Sequence, residues 1–472
     1  MEKRDSFFER FFGISQSGST MKIEVLAGIT TFITIAYILI LNPQILADPY
    51  VIMGDTVMAG KISNGVFIGT CIGAFIGTIL CALYAKVPFA QAPGMGLNAF
   101  FAYTVVLAMG YSYNQALVIV FISGIFFIVI TAVGLREAII RSIPDAVKMA
   151  ITPGIGLFIT IIGLKNSGLV VGNSATLVSM VDFAQWRSEG GDVSLICGAI
   201  VALIGLIVIG VLNARNVKGS IIIGILVATV AGIPLGVTKL SSFDMNLGTK
   251  FSDFAEVSLF KMDFAGLFAG ENIVSTIFTV IMLVLSFSLV NMFDSIGTLM
   301  GAARQSGMID ENGEIIHMKE ALMSDAISTA AGAMVGTSTV TTVVESSAGI
   351  AAGGRTGMTS LVTAVMFLAS IIFAPIVSIV PGQATAPALI FVGILMLSNI
   401  KEVDFSEMSN ALPAFCTVVF MPFTYSIANG VAVGLITYCF MKLFTGKARE
   451  IKALTWIISM IFILRYAFMT LG

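Results

Sequence analysis

Residues 334–354 read MVGTSTVTTVVESSAGIAAGG, a run of hydroxylated and β-branched residues followed by small residues that suit a helix. Such a run is too polar and too short to form a good lipid-facing helix. Non-helical backbone is tolerated at membrane depth only where it is buried in protein or lines a cavity. We therefore predict that residues 336–344 form an extended segment leading into a half-helix.

The first half of the chain contains a matching interruption. Residues 89–106 read FAQAPGMGLNAFFAYTVV, in which Pro93, Gly94 and Gly96 precede a polar residue, Asn98, that opens an apolar helix. Two interrupted spans at corresponding positions of two halves indicate a substrate site between inverted repeats. Because the start of a half-helix offers unpaired N–H groups to a polar ligand, we expect Asn98 and Glu345 to face one cavity.

The composition of the chain places both stretches in a membrane. Of its 472 residues, 57% are hydrophobic and 11% are charged, whereas soluble domains have about 25% charged residues. The apolar residues form about fourteen or fifteen segments, each near the roughly 20 residues that a helix needs to cross the hydrocarbon core. The predicted fold class is an all-α polytopic membrane protein.

Basic residues predict the orientation of the chain. Lys3, Arg4, Arg10 and Lys22 come before or at the start of the first span, and such residues are retained on the cytoplasmic side. We therefore expect a multi-pass protein of the cell (inner) membrane with a cytoplasmic N-terminus. No apolar core of a cleaved signal peptide precedes the first span, which is expected to direct insertion itself.

Several functional classes find no support in the sequence. A net charge of -2 provides no basic surface for nucleic acid. The five cysteines are not spaced as metal ligands, so we predict neither a metal nor a cofactor. A membrane enzyme or receptor would need a catalytic set or a sizeable soluble domain, and the sequence suggests neither.

Carboxylates within apolar segments are the strongest indication of function, because each costs roughly 2.5 to 3.5 kcal/mol to insert. Three positions qualify: Asp294, Asp325 and Glu345. Asp294 and Glu345 lie deep within their segments. Asp325 is close to the end of its span and suits a structural hydrogen-bonding role equally well.

Six blocks of the chain resemble the azaguanine-type purine permeases of the nucleobase-cation symporters. In order, they are TTFITIAYILILNP (30–43), QAPGMGLNAFFAYTVV (91–106), NMFDSIGTLMGAA (291–303), GTSTVTTVVESSAGIAAGGRTG (336–357), ALIFVGILML (388–397) and ALPAFCTVVFMPFTYSIANGVAVG (411–434). The blocks extend over nearly the whole chain. The ESSAGIAAGGRTG and APGMGLNAFF blocks are highly specific.

The resemblance implies two inverted seven-span repeats, divided into a core domain and a gate domain, and usually a homodimer. The expected divisions are a cytoplasmic N-terminal segment (1–24), a first repeat (25–236), an extracytoplasmic loop (237–271), a second repeat (272–444) and a C-terminal segment with an additional apolar helix (445–472). Substrate would lie between the two half-helices and a carboxylate from the first span of the second repeat. These elements match Asn98, Glu345 and Asp294.

One position departs from the pattern of the family. Many members have an acid three residues before the aspartate that matches Asp294, and this chain has Asn291 there. Asn291 and Thr298 fall on the same helical face as Asp294 and are predicted to contribute hydrogen bonds. Thr342, in the hydroxylated run, and Phe32, in the first span, complete the predicted substrate-binding set.

These groups suit a purine nucleobase. Glu345 would accept from ring N–H groups, Asn98 and the half-helix amides would meet the carbonyls, and Phe32 or Phe100 could stack on the base. Low dielectric favours the neutral form of a carboxyl group, so Asp294 or Glu345 could take up a proton outside and release it inside.

The predicted function is import of guanine or hypoxanthine by proton symport, with an elevator or rocking motion of core against gate. An adenine permease of the same family is the close alternative. An anion transporter of the same broad fold is a weaker one, because a carboxylate at position 345 opposes an anionic substrate.

Overall fold

The computed structural model describes residues 7–134, 143–187, 193–240, 246–269, 273–306, 316–377 and 379–471. Its first part consists mainly of helices. They are α1 (Phe7–Phe12), α2 (Met21–Ile35), α3 (Ile38–Ile52), α4 (Thr56–Leu80), α5 (Met95–Ala99), α6 (Tyr113–Ala132), α7 (Asp145–Asn166), α8 (Val193–Ala214), α9 (Ser220–Gly232), α10 (Leu247–Asp253) and α11 (Phe264–Leu267). The helix α5 continues as a π-helical segment over Phe100–Ala108.

The second part of the chain is also mainly helical. Its helices are α12 (Ile273–Ser306), α13 (Met318–Met334), α14 (Ser346–Ala351), α15 (Gly357–Ala369), α16 (Ala374–Val377), α17 (Gly382–Leu397), α18 (Met408–Phe423), α19 (Ile427–Phe444) and α20 (Ala453–Leu471). Within the described ranges, nine helical stretches are long and apolar enough to cross a membrane, and four shorter apolar helices accompany them. Helices predominate because lipid offers no partner for backbone N–H and C=O groups. The all-α polytopic class is confirmed.

Four short strands form two antiparallel pairs. The strands β2 (Val170–Asn173) and β3 (Leu177–Met180) form a hairpin in the loop after α7. The strands β1 (Gln91–Pro93) and β4 (Val340–Thr342) come from the two interrupted spans and pair with each other, with Ala92 opposite Thr341. Each is followed by a half-helix, α5 or α14. The predicted extended segments and half-helices are therefore confirmed.

Close packing of α4 fixes the position of both interrupted spans. Gly65, Gly69, Gly73 and Gly77 lie four residues apart along α4 and so share one face. A Cβ placed on Gly69 would lie 2.3 Å from the carbonyl oxygen of Val335, and one on Gly77 would lie 2.6 Å from Oε1 of Gln91. Small residues allow such close approach between membrane helices and their neighbours.

The first span lies equally close to the second half-helix. A Cβ placed on Gly349 of α14 would lie 2.0 Å from Oγ1 of Thr31 in α2. A Cβ placed on Gly28 of α2 would lie 2.6 Å from the carbonyl oxygen of Thr359 in α15. These contacts place α14 directly against α2, and they bring the break between α2 and α3 near the start of α14.

The chain folds as two compact units. The first comprises Met1–Ile128 and Leu164–Ala388, and the second comprises Val129–Gly163 and Leu389–Gly472. The divisions expected from the sequence are based on repeats and not on contacts between residues. They fall at residues 24, 236, 271 and 444 and stay a prediction. Lys3 and Arg4, on which the predicted orientation partly depends, lie outside the described residues.

The second unit contains an ion-pair cluster. The Nζ of Lys442, a residue 3% exposed, lies 2.8 Å from Oε2 of Glu450. Hydrogen bonds from Lys447 and Ser409 lower the pKa of Glu407 to about 2. The cluster links α19 to the loop before α18, and it is separate from the interrupted spans, which belong to the first unit.

Candidate functional site

Glu345 stands at the start of the second half-helix. It directly precedes α14 and is half-buried. Its Oε1 accepts a hydrogen bond of 2.6 Å from the hydroxyl of Tyr37, a residue 1% exposed at the break between α2 and α3. Apart from Tyr37 and the backbone N–H of Glu345 itself, no described residue donates to this carboxylate. The carboxylate is therefore available to accept a hydrogen bond from a ligand.

Asp325 in α13 holds the second strand in place. Its side chain is fully buried. Its Oδ1 accepts from the backbone N–H of Thr342 at 2.7 Å, and its Oδ2 accepts from the hydroxyl of Ser295 at 2.5 Å. Asp325 thus joins α13, β4 and α12, in keeping with a hydrogen-bonding role. Thr342 is 1% exposed, and its predicted contact with substrate stays a prediction.

Gln91 in β1 is a polar residue that the sequence analysis missed. It is fully buried, its Nε2 donates to Oγ1 of Thr342 at 3.3 Å, and its Oε1 accepts from Ser328 at 2.5 Å. The side chain therefore adds a second connection between the paired strands and α13. Its position just before the Pro93–Gly94 interruption is the signal that could have identified it.

Asn98 is the centre of a buried polar network. Its Nδ2 donates to Oδ1 of Asn42 at 2.6 Å, and its Oδ1 accepts from the hydroxyl of Ser338. Asn42 in turn donates to Thr70 at 2.7 Å and to Thr337 at 2.9 Å. The network ties α5 to α3, α4 and the segment before β4. Because both ends of the Asn98 amide are occupied, its predicted contact with a substrate carbonyl stays a prediction.

The helix α12 carries the remaining polar residues of the predicted site. Asn291 is 2% exposed and donates to Oγ1 of Thr329 at 3.2 Å. Its Oδ1 has no hydrogen-bond partner within the described part of the chain. Thr298 is half-buried. Asp294 lies one turn after Asn291 on α12, but its side chain lies outside the described residues, so its roles in substrate binding and proton coupling stay predictions.

The two aromatic candidates have different environments. Phe32 is half-buried and packs edge-to-face against Phe367, with 5.5 Å between ring centroids. Phe100 is fully buried against Phe287, with 4.8 Å between centroids. Of the two, only Phe32 retains exposed ring surface on which a base could stack.

Glu24 is a second residue that the sequence analysis missed. Its fully buried carboxylate accepts from the backbone N–H groups of Arg355 at 3.0 Å and Thr356 at 3.3 Å, and from the hydroxyl of Thr359 at 2.6 Å. The guanidinium of Arg355 donates to the carbonyl oxygen of Ile350 at 2.7 Å. Glu24 thus fixes the turn that connects α14 to α15. In the sequence it looks like one more charge before the first span.

The arrangement is suited to binding a polar ligand. Asp325 and Glu24 direct their carboxylates at several protein donors, whereas Glu345 meets one described side-chain donor, the hydroxyl of Tyr37. Among the residues that the structure describes, no three His, Cys, Asp or Glu side chains are grouped to hold a metal ion. Of these three acids, Glu345 is therefore the one best placed to contact a substrate.

The chain also matches known permease sequences. Residues 22–433 match the family model Xan_ur_permease, which represents a permease family. The chain is similar to the adenine permease AdeP of Escherichia coli, at 38% identity over 98% of this chain and 96% of that protein. It is similar to the guanine/hypoxanthine permease PbuO of Bacillus subtilis, at 38% identity over 96% of this chain and 99% of that protein.

Solved structures share the fold. The transmembrane domain of the cyanobacterial bicarbonate transporter BicA matches 88% of this chain and 97% of its own, with a TM-score of 0.59 and 15% sequence identity. This likeness supports the predicted inverted-repeat fold with core and gate domains. At this identity, it concerns the fold alone.

Proposed function

Because the chain belongs to the Xan_ur_permease family of permeases, we propose that it imports purine nucleobases by proton symport. It is a multi-pass membrane transporter and not an enzyme. The observation that carries the proposal is the Glu345 carboxylate, half-buried at the start of a half-helix with Oε2 unpaired among the described residues. A purine ring N–H is a donor of the kind that such an oxygen accepts.

Guanine and hypoxanthine are the proposed substrates. Both have a ring N1–H from which an ionised Glu345 can accept a hydrogen bond. Adenine instead presents an unprotonated N1, which has no hydrogen to donate to the same oxygen. Sites that hydrogen-bond a substrate group reject analogues lacking it by large factors. The similarity to AdeP equals that to PbuO, so adenine is the second candidate. A protonated Glu345 would donate to N1 of adenine.

Proton coupling would use the carboxyl groups of the site. Asp294 is the first candidate for the proton and Glu345 for the substrate, and two neighbouring carboxyl groups titrate as a pair. Transport would proceed by an elevator or rocking motion of the core against the gate. The proposed setting is a homodimer in the inner membrane, with the N-terminus in the cytoplasm.

An anion transporter of the same fold is the weaker alternative. The fold likeness to a bicarbonate transporter concerns architecture only. An unpaired carboxylate oxygen at the proposed site would repel an anion. Removing water from the two like charges would also cost free energy. A purine, which is neutral and presents N–H donors, avoids both costs.

The substrate test is uptake of labelled hypoxanthine by a host that lacks its own purine permeases. We expect unlabelled guanine and hypoxanthine to compete, and pyrimidines and organic anions to leave uptake unchanged. High-affinity transport of adenine without competition by hypoxanthine would overturn the guanine/hypoxanthine preference. Competition by organic anions alone would overturn the nucleobase proposal.

A further inference from the structure

The Glu345 side chain does not cap its own helix. A residue at the position before a helix commonly accepts a hydrogen bond from an N–H in the first turn, but Glu345 makes no such bond. The first turn is satisfied by backbone carbonyls instead, since Ser347 donates to Val344 and Ala348 donates to Glu345, each at 3.0 Å. The carboxylate is therefore free to point away from α14.

The hydroxyl of Tyr37 determines where that carboxylate is held. It donates to Oε1 at 2.6 Å, the short distance typical of a charge-assisted bond between a hydroxyl and a carboxylate. Tyr37 is 1% exposed, and the tight contact between Gly349 and Thr31 fixes α2 against α14. Donor and acceptor thus adjoin two closely packed helices, since Tyr37 follows α2 and Glu345 directly precedes α14.

We propose that Tyr37 is a positioning residue for substrate binding and acts through Glu345. This inference rests on the proposed purine site. By donating to Oε1, the hydroxyl fixes the direction of the carboxylate and leaves Oε2 as the acceptor for the ring N–H of the base.

The chain supplies a closely matched control. Tyr103 is 2% exposed, and its hydroxyl donates to Oδ2 of Asp48, also at 2.6 Å. Tyr103→Phe therefore removes the same kind of bond, from a buried phenol to a carboxylate, together with a longer bond of 3.4 Å that Asn166 donates to the hydroxyl, without touching Glu345. A general loss of stability from deleting a buried hydroxyl would affect both variants alike.

The test measures binding of hypoxanthine and of 1-methylhypoxanthine, which lacks N1–H, to the purified full-length protein by calorimetry. For Tyr37→Phe, we expect the dissociation constant for hypoxanthine to rise about 10- to 100-fold, the range for losing a hydrogen bond to a charged group. Tyr103→Phe should bind as the wild type does. The preference of the wild type for hypoxanthine over its 1-methyl analogue should shrink in Tyr37→Phe, because the part of this preference that comes from the bond between N1–H and Oε2 depends on a positioned carboxylate.

Tyr37→Met serves as a second apolar replacement, and thermal unfolding identifies which variants are folded. Wild-type affinity in a folded Tyr37 variant, or an equal loss in Tyr103→Phe, would overturn the inference and leave the proposed function intact. An equal loss of affinity for both ligands, with the preference for hypoxanthine unchanged, would contradict the inference and show that Tyr37 has only a structural role. Failure of the wild type to bind any purine would instead overturn the proposed function itself.

Discussion

The two interrupted spans have the same backbone plan but different side-chain chemistry. The first arm, β1 followed by α5, buries Gln91 and Asn98 completely and bonds both amides to protein groups. The second arm, β4 followed by α14, begins its helix with a half-buried carboxylate, Glu345, that keeps one oxygen unpaired among the described residues.

This difference suggests a division of roles between the arms. A buried amide that both donates to and accepts from protein groups stabilises the packing around it, and breaking its bonds is costly. A hydrogen-bond acceptor that has no side-chain donor in the protein favours a ligand that supplies a donor. We infer that the first arm mainly supports the site and that the second arm provides its main substrate contact. Three substitutions test this inference, starting with the one expected to have the largest effect.

Glu345→Gln should have the largest effect, on the second arm. The amide keeps one acceptor oxygen but places N–H donors against the ring N–H of the base, so we expect the affinity for hypoxanthine to fall by about 100-fold or more. Calorimetry on purified protein measures it. Glu256→Gln is the control, because Glu256 forms an exposed pair with Lys61 and should bind normally. Unaltered affinity in Glu345→Gln would show that the site is assigned wrongly.

Gly69→Ala should disturb the support shared by both arms. The added Cβ would lie 2.3 Å from the backbone oxygen of Val335, so we expect a loss of stability of about 1–3 kcal/mol, seen as a lower midpoint of thermal unfolding. Gly60, on the same helix, has no neighbouring atom within 4 Å of such a Cβ. Gly60→Ala should be neutral or slightly stabilising. Equal midpoints for the two variants would contradict close packing of α4 against the arms.

Asn98→Ala should have the smallest effect on binding and a clear effect on stability. It removes the bonds to Asn42 and Ser338, which should cost about 1–3 kcal/mol of stability, whereas the affinity of the folded protein should fall only a few-fold. Unfolding and calorimetry on the same sample separate the two quantities. A loss of affinity comparable to that of Glu345→Gln would show that the first arm contacts the base directly.

The sequence predicted the backbone of both arms because their signals are local. Pro93 and Gly94 precede one half-helix, and the β-branched run before Glu345 forms the other strand, so composition and position sufficed. It also identified Glu345, since a carboxylate in an apolar segment is conspicuous.

The partners of these residues depend on contacts between distant parts of the chain and could not be predicted. Asn98 bonds to residues 56 and 240 positions away, and Tyr37 reaches Glu345 across 308 positions. In the sequence, Tyr37 is one aromatic residue within an apolar span, and nothing local indicates that its hydroxyl meets a carboxylate. Glu24 was missed for the same reason, because only the fold reveals its burial.

The most direct test of the central claim is uptake of hypoxanthine into proteoliposomes under a proton gradient, under a sodium gradient and under neither. A proton-coupled purine permease should accumulate hypoxanthine only when the outside is acidic, and Asp294→Asn should remain folded but lose this accumulation. Accumulation that follows the sodium gradient and ignores protons would contradict the account, as would a wild-type protein that fails to take up purines under any gradient.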